Sequence, residues 1–166
     1  MRPDDFRAKD VSNGAAQRLK DTDIPLCSVG KHLRSVHMKE AEMPPIALVG
    51  IVDDDAEFLA ALGSLVRSFG CKVECFSSAE LLVNRADLLD FACVISDLNM
   101  PKIDGLELID ILRHKAEELP IILMTGRGAS DLEEKAYGCG ARGFVTKPFG
   151  FEELASSLKE IGVIAE

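Results

Sequence analysis

Residues 46–55 read Ile-Ala-Leu-Val-Gly-Ile-Val-Asp-Asp-Asp. An unbroken apolar run at Ile46–Val52 stops at three successive carboxylates. A strand with one wet face would alternate polar and apolar residues. An unbroken run is the pattern of a strand covered on both faces, as in a parallel sheet. The chain downstream agrees. Apolar residues at helical spacing over Ala56–Phe69 (Phe58, Leu59, Leu62, Leu65, Val66 and Phe69) predict a helix that Gly70 ends. A short strand follows at Cys71–Phe76, then a helix over Ala79–Arg85 that Ser77 or Ser78 can cap.

The alternation continues with strands at Ala92–Ser96, Pro120–Met124 and Gly143–Thr146, and helices over Gly105–Lys115, Ala129–Tyr137 and Gly150–Ile161. Five strands alternating with five helices predict an α/β fold, a doubly wound parallel sheet with right-handed crossovers. In such folds ligands bind beyond the carboxyl ends of the strands. Those ends carry Asp53, Asp54 and Asp55 after the first strand, Asp97 after the third, Thr125 after the fourth and Lys147 after the fifth.

Upstream the pattern is lost. Residues 1–45 mix charge, Gly14, Gly30 and Pro25, end at Pro44-Pro45, and read as a poorly ordered tail with at most short helices near Ala15–Leu19 or Leu33–Met38. The net charge is −9; residues 1–45 hold eight Lys/Arg and seven Asp/Glu, residues 46–166 eleven and twenty-one, so the acidity belongs to the second segment. That balance argues against a nucleic-acid surface. No apolar stretch is long enough to span a membrane, and the amino terminus lacks a signal-peptide core. Five Cys without a Cys-x-x-Cys pair suggest buried reduced thiols and a cytoplasmic setting.

Carboxylates converging at one sheet edge repel each other. A hard divalent cation relieves this; Mg²⁺ takes one or two carboxylates, keeps waters and accepts phosphate oxygens. Lys147 neutralises part of the remainder. The set suits phosphoryl transfer, which needs positioning and charge neutralisation. Asp97, ending a central strand, is the candidate nucleophile, with Thr125 and Lys147 as partners for phosphoryl oxygens. Asp55 reads as a helix cap.

Taken in order, Ile51-Val52-Asp53-Asp54-Asp55, Ser96-Asp97-Leu98-Asn99-Met100-Pro101 with Asp104-Gly105, Met124-Thr125-Gly126 and Lys147-Pro148-Phe149 resemble the receiver domain of two-component response regulators, in the FixJ-like subgroup, over about residues 46–163. The resemblance implies a flavodoxin-like (βα)5 sheet of strand order 2-1-3-4-5, with 46–166 as the receiver domain. It implies Mg²⁺ (or Mn²⁺) held by Asp53, Asp54, Asp97 and the backbone carbonyl of Asn99, with Asp97 as phosphoacceptor. Thr125 and Lys147 would contact the phosphoryl group. Phe144 occupies the aromatic switch position, and Arg127 a position that tunes phosphoryl lifetime.

The implied partners are a sensor histidine kinase or phosphotransfer protein and a downstream protein. That protein would be engaged by the face of the fourth helix, fifth strand and fifth helix, with a phosphorylation-dependent dimer as a family habit. The chain stops one helix after Lys147, so a stand-alone receiver without a DNA-binding domain is expected. It would be a self-phosphorylating module and not a turnover enzyme. The alternative is a phosphate sink or relay intermediate without its own output. A haloacid-dehalogenase-like phosphatase needs an acid two residues after the nucleophile, where Asn99 stands. A flavodoxin-like cofactor binder would need a phosphate loop where three Asp lie.

Overall fold

The computed structural model describes residues 45–126 and 130–165. Residues 1–44 of the expected tail, with its short helices and Cys27, and Arg127 lie outside them. The elements are β1 (Leu48–Val52), α1 (Ala56–Ser68), β2 (Lys72–Phe76), α2 (Ala79–Val83), a 3-10 turn (Leu88–Asp90), β3 (Cys93–Asp97), α3 (Gly105–Lys115), β4 (Ile121–Thr125), α4 (Ser130–Gly138), β5 (Gly143–Thr146) and α5 (Phe151–Glu160). The strands form one sheet in the order β2-β1-β3-β4-β5, and every pairing is parallel.

Alternation along the strands divides the interior into two cores. Leu48 and Val52 of β1, Val94 of β3 and Ile121 and Leu123 of β4 face the core closed by α2, α3 and α4 through Leu82, Leu108, Ile109, Leu112 and Ala136. Val49, Ile51, Cys93, Ile95, Ile122, Met124 and Val145 face the core closed by α1 and α5 through Leu59, Leu62, Val66, Leu154 and Leu158. A sheet covered on both faces is what the continuous apolar run of β1 demands.

Several boundaries differ from the sequence reading. β1 begins at Leu48 because Ile46 is exposed and the ladder to β2 opens with the Lys72 amide donating to the Ala47 carbonyl. β2 begins at Lys72, leaving Cys71 just outside it. α2 ends at Val83 and not at Arg85. The Arg85 guanidinium instead pairs with Glu74 of β2 at 3.1 Å and Asp90 at 3.2 Å, and it lies 4.6 Å from the Phe91 ring centroid. Those contacts draw the chain out of the helix into the 3-10 turn, which has no periodicity in the sequence. α5 begins one residue later than expected; α4 is described from Ser130, and the expected first residue, Ala129, lies outside the described residues. β3 and β4 run one residue further than the apolar pattern suggests, taking Asp97 and Thr125 into the ladder (Asp97 opposite Met124, Thr125 opposite Thr146).

Two thiols also depart from expectation: Cys71 and Cys93 are buried, but Cys75 and Cys139 are exposed. At the amino ends of β4 and β5, Arg113 of α3 donates to the carbonyls of Glu117, Leu119 and Gly140, tying two turns together.

Candidate phosphoacceptor site

The site is built on ladder backbone. The Asp53 amide donates to the Phe76 carbonyl at 3.1 Å, the Leu98 amide to Met124 at 2.7 Å and the Lys147 amide to Thr125 at 2.7 Å. Each functional residue therefore sits on, or one residue past, a hydrogen-bonded strand. Asp53, Asp97 and Thr125 are almost wholly buried, at 1 %, 6 % and 0 % exposure. Burying carboxylates is costly unless they are paired and hydrogen-bonded.

Both carboxylates meet that condition. Lys147 Nζ lies 2.7 Å from Asp53 Oδ2 and 2.8 Å from Asp97 Oδ1. The second oxygen of each accepts a backbone N–H two residues on, Asp55 N to Asp53 Oδ1 at 2.9 Å and Asn99 N to Asp97 Oδ2 at 2.9 Å. Burial acts to lower the Lys147 pKa. The hydrogen bonds and charges of Asp53 and Asp97 outweigh it and hold the group above its ordinary 10.5.

Thr125 Oγ1 accepts from the Asn99 side-chain amide at 3.4 Å. Asp97, Asn99, Gly126 and Lys147 line one open cleft. Asp54 is exposed. Asp55 is a cap, its Oδ1 accepting from Glu57 N and Phe58 N at 2.9 and 3.1 Å. Behind Asp97 the N-terminus of α3 packs very closely: a Cβ on Gly105 would lie 2.9 Å from the Asp97 carbonyl oxygen and 2.9 Å from Leu98 Cα. Phe144 is half-buried against the core on the α3 side.

The structure thus brings Asp53, Asp97, Asn99, Thr125 and Lys147 together. Sequence reasoning missed Phe58, whose ring centroid lies 3.9 Å from Lys147 Nζ, and Ser96, whose buried hydroxyl donates to the Asp97 carbonyl at 3.0 Å. Both read as ordinary helix and strand positions, so no pattern could have singled them out.

A divalent cation fits this donor set in kind. The oxygens are hard, and two buried carboxylates share one ammonium, leaving a net negative charge. Among the described residues no three Asp, Glu, His or Cys side chains converge tightly enough to hold an ion by themselves.

Comparison with known proteins shows the family. Residues 49–159 match the response regulator receiver domain family. The chain belongs to that family, whose members are phosphoacceptor modules of two-component signalling. Among curated relatives, the response regulator protein TmoT of Ectopseudomonas mendocina is 41 % identical over 123 residues, covering 74 % of this chain and 54 % of TmoT. The transcriptional regulatory protein FixJ of Bradyrhizobium diazoefficiens is 35 % identical over 109 residues, covering 66 % of this chain and 53 % of FixJ. The chain spans about half the length of the curated relatives it matches. Among solved structures, the beryllofluoride-activated NtrC4 receiver domain dimer superposes with a TM-score of 0.64 at 26 % identity, over 69 % of this chain and 94 % of that one. No described helix is long and apolar enough to cross a membrane.

Proposed function

We propose that this protein accepts a phosphoryl group on Asp97 from a sensor histidine kinase or phosphotransfer protein. The observation that carries the reading is the Asp97 carboxylate itself. It is nearly buried, fixed by Lys147 on one oxygen and by the Asn99 amide on the other, and sits at the rim of an open cleft. A carboxylate oxygen attacks phosphorus as the P–N bond of a phosphohistidine breaks, and the imidazole nitrogen leaves with the bonding electrons.

Lys147 and Thr125 receive the phosphoryl oxygens, one as a charge and one as a hydroxyl donor. Asp53, Asp54, Asp97 and the Asn99 carbonyl would hold Mg²⁺ or Mn²⁺, which neutralises charge on the transferring group. For Thr125 to turn toward the phosphoryl group it must leave the Asn99 amide, and Phe144 moves with it. The output is a changed α4–β5–α5 face, offered to a downstream protein or a second copy of the chain in the cytoplasm. In this reading 46–166 is the receiver and 1–45 precedes it.

The test uses the full chain with acetyl phosphate and Mg²⁺. The expected result is a mass gain of one phosphoryl group in the wild type and none in Asp97→Ala. An unchanged gain in Asp97→Ala would overturn the assignment.

A further inference from the structure

The Lys147 ammonium has more around it than its two carboxylates. Its nitrogen sits 3.9 Å from the centroid of Phe58, in the first turn of α1. Phe149, two residues after Lys147, meets Phe58 at 6.1 Å with an interplanar angle of 90°, one of the preferred arrangements of aromatic pairs. The Phe58 amide is itself held by the Asp55 cap. The ring is therefore fixed from both sides, by its own backbone and by a neighbour anchored beside the lysine.

We propose that Phe58 is a positioning residue for Lys147, its ring face holding the ammonium over the site through a cation–π contact; this rests on the phosphoacceptor reading above. An ammonium at the end of a four-carbon stem has large rotamer freedom. Asp53 and Asp97 restrain it now, yet both carboxylates have other work once a cation and a phosphoryl group arrive. The face of a benzene ring attracts a cation electrostatically, and it competes for neither the metal nor the phosphoryl oxygens. It keeps Lys147 at the rim when the carboxylates are drawn elsewhere. The competing account is that Phe58 and Phe149 are packing alone, closing the end of the α1–α5 core.

Two measurements on the full chain separate these. In the unloaded protein, the Lys147 ε-methylene protons should resonate upfield from ring current. Phe58→Leu should remove that shift and Phe58→Tyr should keep it. With acetyl phosphate and Mg²⁺, Phe58→Leu should be phosphorylated about fivefold more slowly, equivalent to about 1 kcal/mol, with Phe58→Tyr close to the wild type. A wild-type Lys147 signal without upfield shift overturns the inference, even if Phe58→Leu fails to fold. So does a Phe58→Leu rate equal to the wild type, or equal slowing in both variants, which would mark packing and not the ring face. Phosphorylation persisting in Asp97→Ala would instead sink the underlying phosphoacceptor reading, while the Lys147 signal in the unloaded protein would still judge the contact.

Discussion

Lys147 holds Asp53 and Asp97 at 2.7 and 2.8 Å, and its raised pKa gives stability a definite pH dependence. A group whose folded pKa lies above its unfolded value stabilises the fold at pH below the unfolded value, here about 10.5, and loses that contribution as pH rises through the folded value. Urea denaturation from pH 9 to pH 12 should therefore show a decline steeper in the wild type than in Lys147→Met. Parallel curves would mean that the ion pairs carry no net stability. Gly105 sets a second residue-scale constraint. A methyl group there meets the Asp97 and Leu98 backbone at 2.9 Å, so Gly105→Ala should cost about 1–3 kcal/mol by overpacking. Because α3 must shift away from the strand that carries Asp97, phosphorylation of the proposed site should slow as well, read by the same mass assay. The meeting of Asp53, Asp97 and Lys147 was legible here from the side chains that end each strand. The contact of Phe58 with Lys147 was not, since a phenylalanine at helical spacing looks the same whether its ring meets a leucine or a cation.

Among the elements, α1 shows how one carboxylate differs from its neighbours. Asp55 gives an oxygen to two amides of the first helical turn, which is the work of an N-cap. Asp54, one residue earlier, is exposed and makes no such bond among those described. Asp55→Ala should cost about 1 kcal/mol of stability and leave Mg²⁺ affinity unchanged; Asp54→Ala should do the reverse, as followed by metal titration. Weakened Mg²⁺ binding in Asp55→Ala would show that the cap assignment is incomplete. Strands could be read from the sequence because burial on both faces makes unbroken apolar runs, and long helices because burial of one face imposes a period. α2 could not be delimited, because the pairing of Arg85 with Glu74 and Asp90 is a tertiary preference that overrides the local pattern. Asp97 and Thr125 likewise extend β3 and β4 as polar residues, where an apolar run gives no warning that the ladder continues.

For the molecule as a whole, the two cores and the cleft make separate predictions. On the proposed reading, beryllofluoride with Mg²⁺ should bind the folded site alone, so near 100-fold excess over Kd it should raise Tm by roughly 5–10 °C. Chelation of the metal should abolish the rise, and Asp97→Ala should show none. Sedimentation under the same conditions would show whether activation brings two copies together. Thiol labelling reports on the cores. Burial pushes the Cys93 thiol up to about 12, and only thiolates react readily. Peptide mapping after brief alkylation at pH 8 should find Cys75 and Cys139 modified ahead of Cys71 and Cys93; early modification of Cys93 would contradict its placement between β1 and β4. A parallel sheet covered on both faces followed from the alternation of strands and helices, while its strand order was implied by the family resemblance. The exposure of Cys75 and Cys139 did not, because a cysteine carries no periodic signal of its own.

The bracing by Arg113 at the opposite end of the sheet makes the domain mechanically lopsided. In deuterated solvent, amides around the turns ahead of β4 and β5 should exchange slowly and indifferently to activation, while those after Asp97 and Thr125 should change their protection. Arg113→Leu, which removes the three carbonyl contacts, should speed exchange at those turns; unchanged exchange there would show that the brace carries little of their protection.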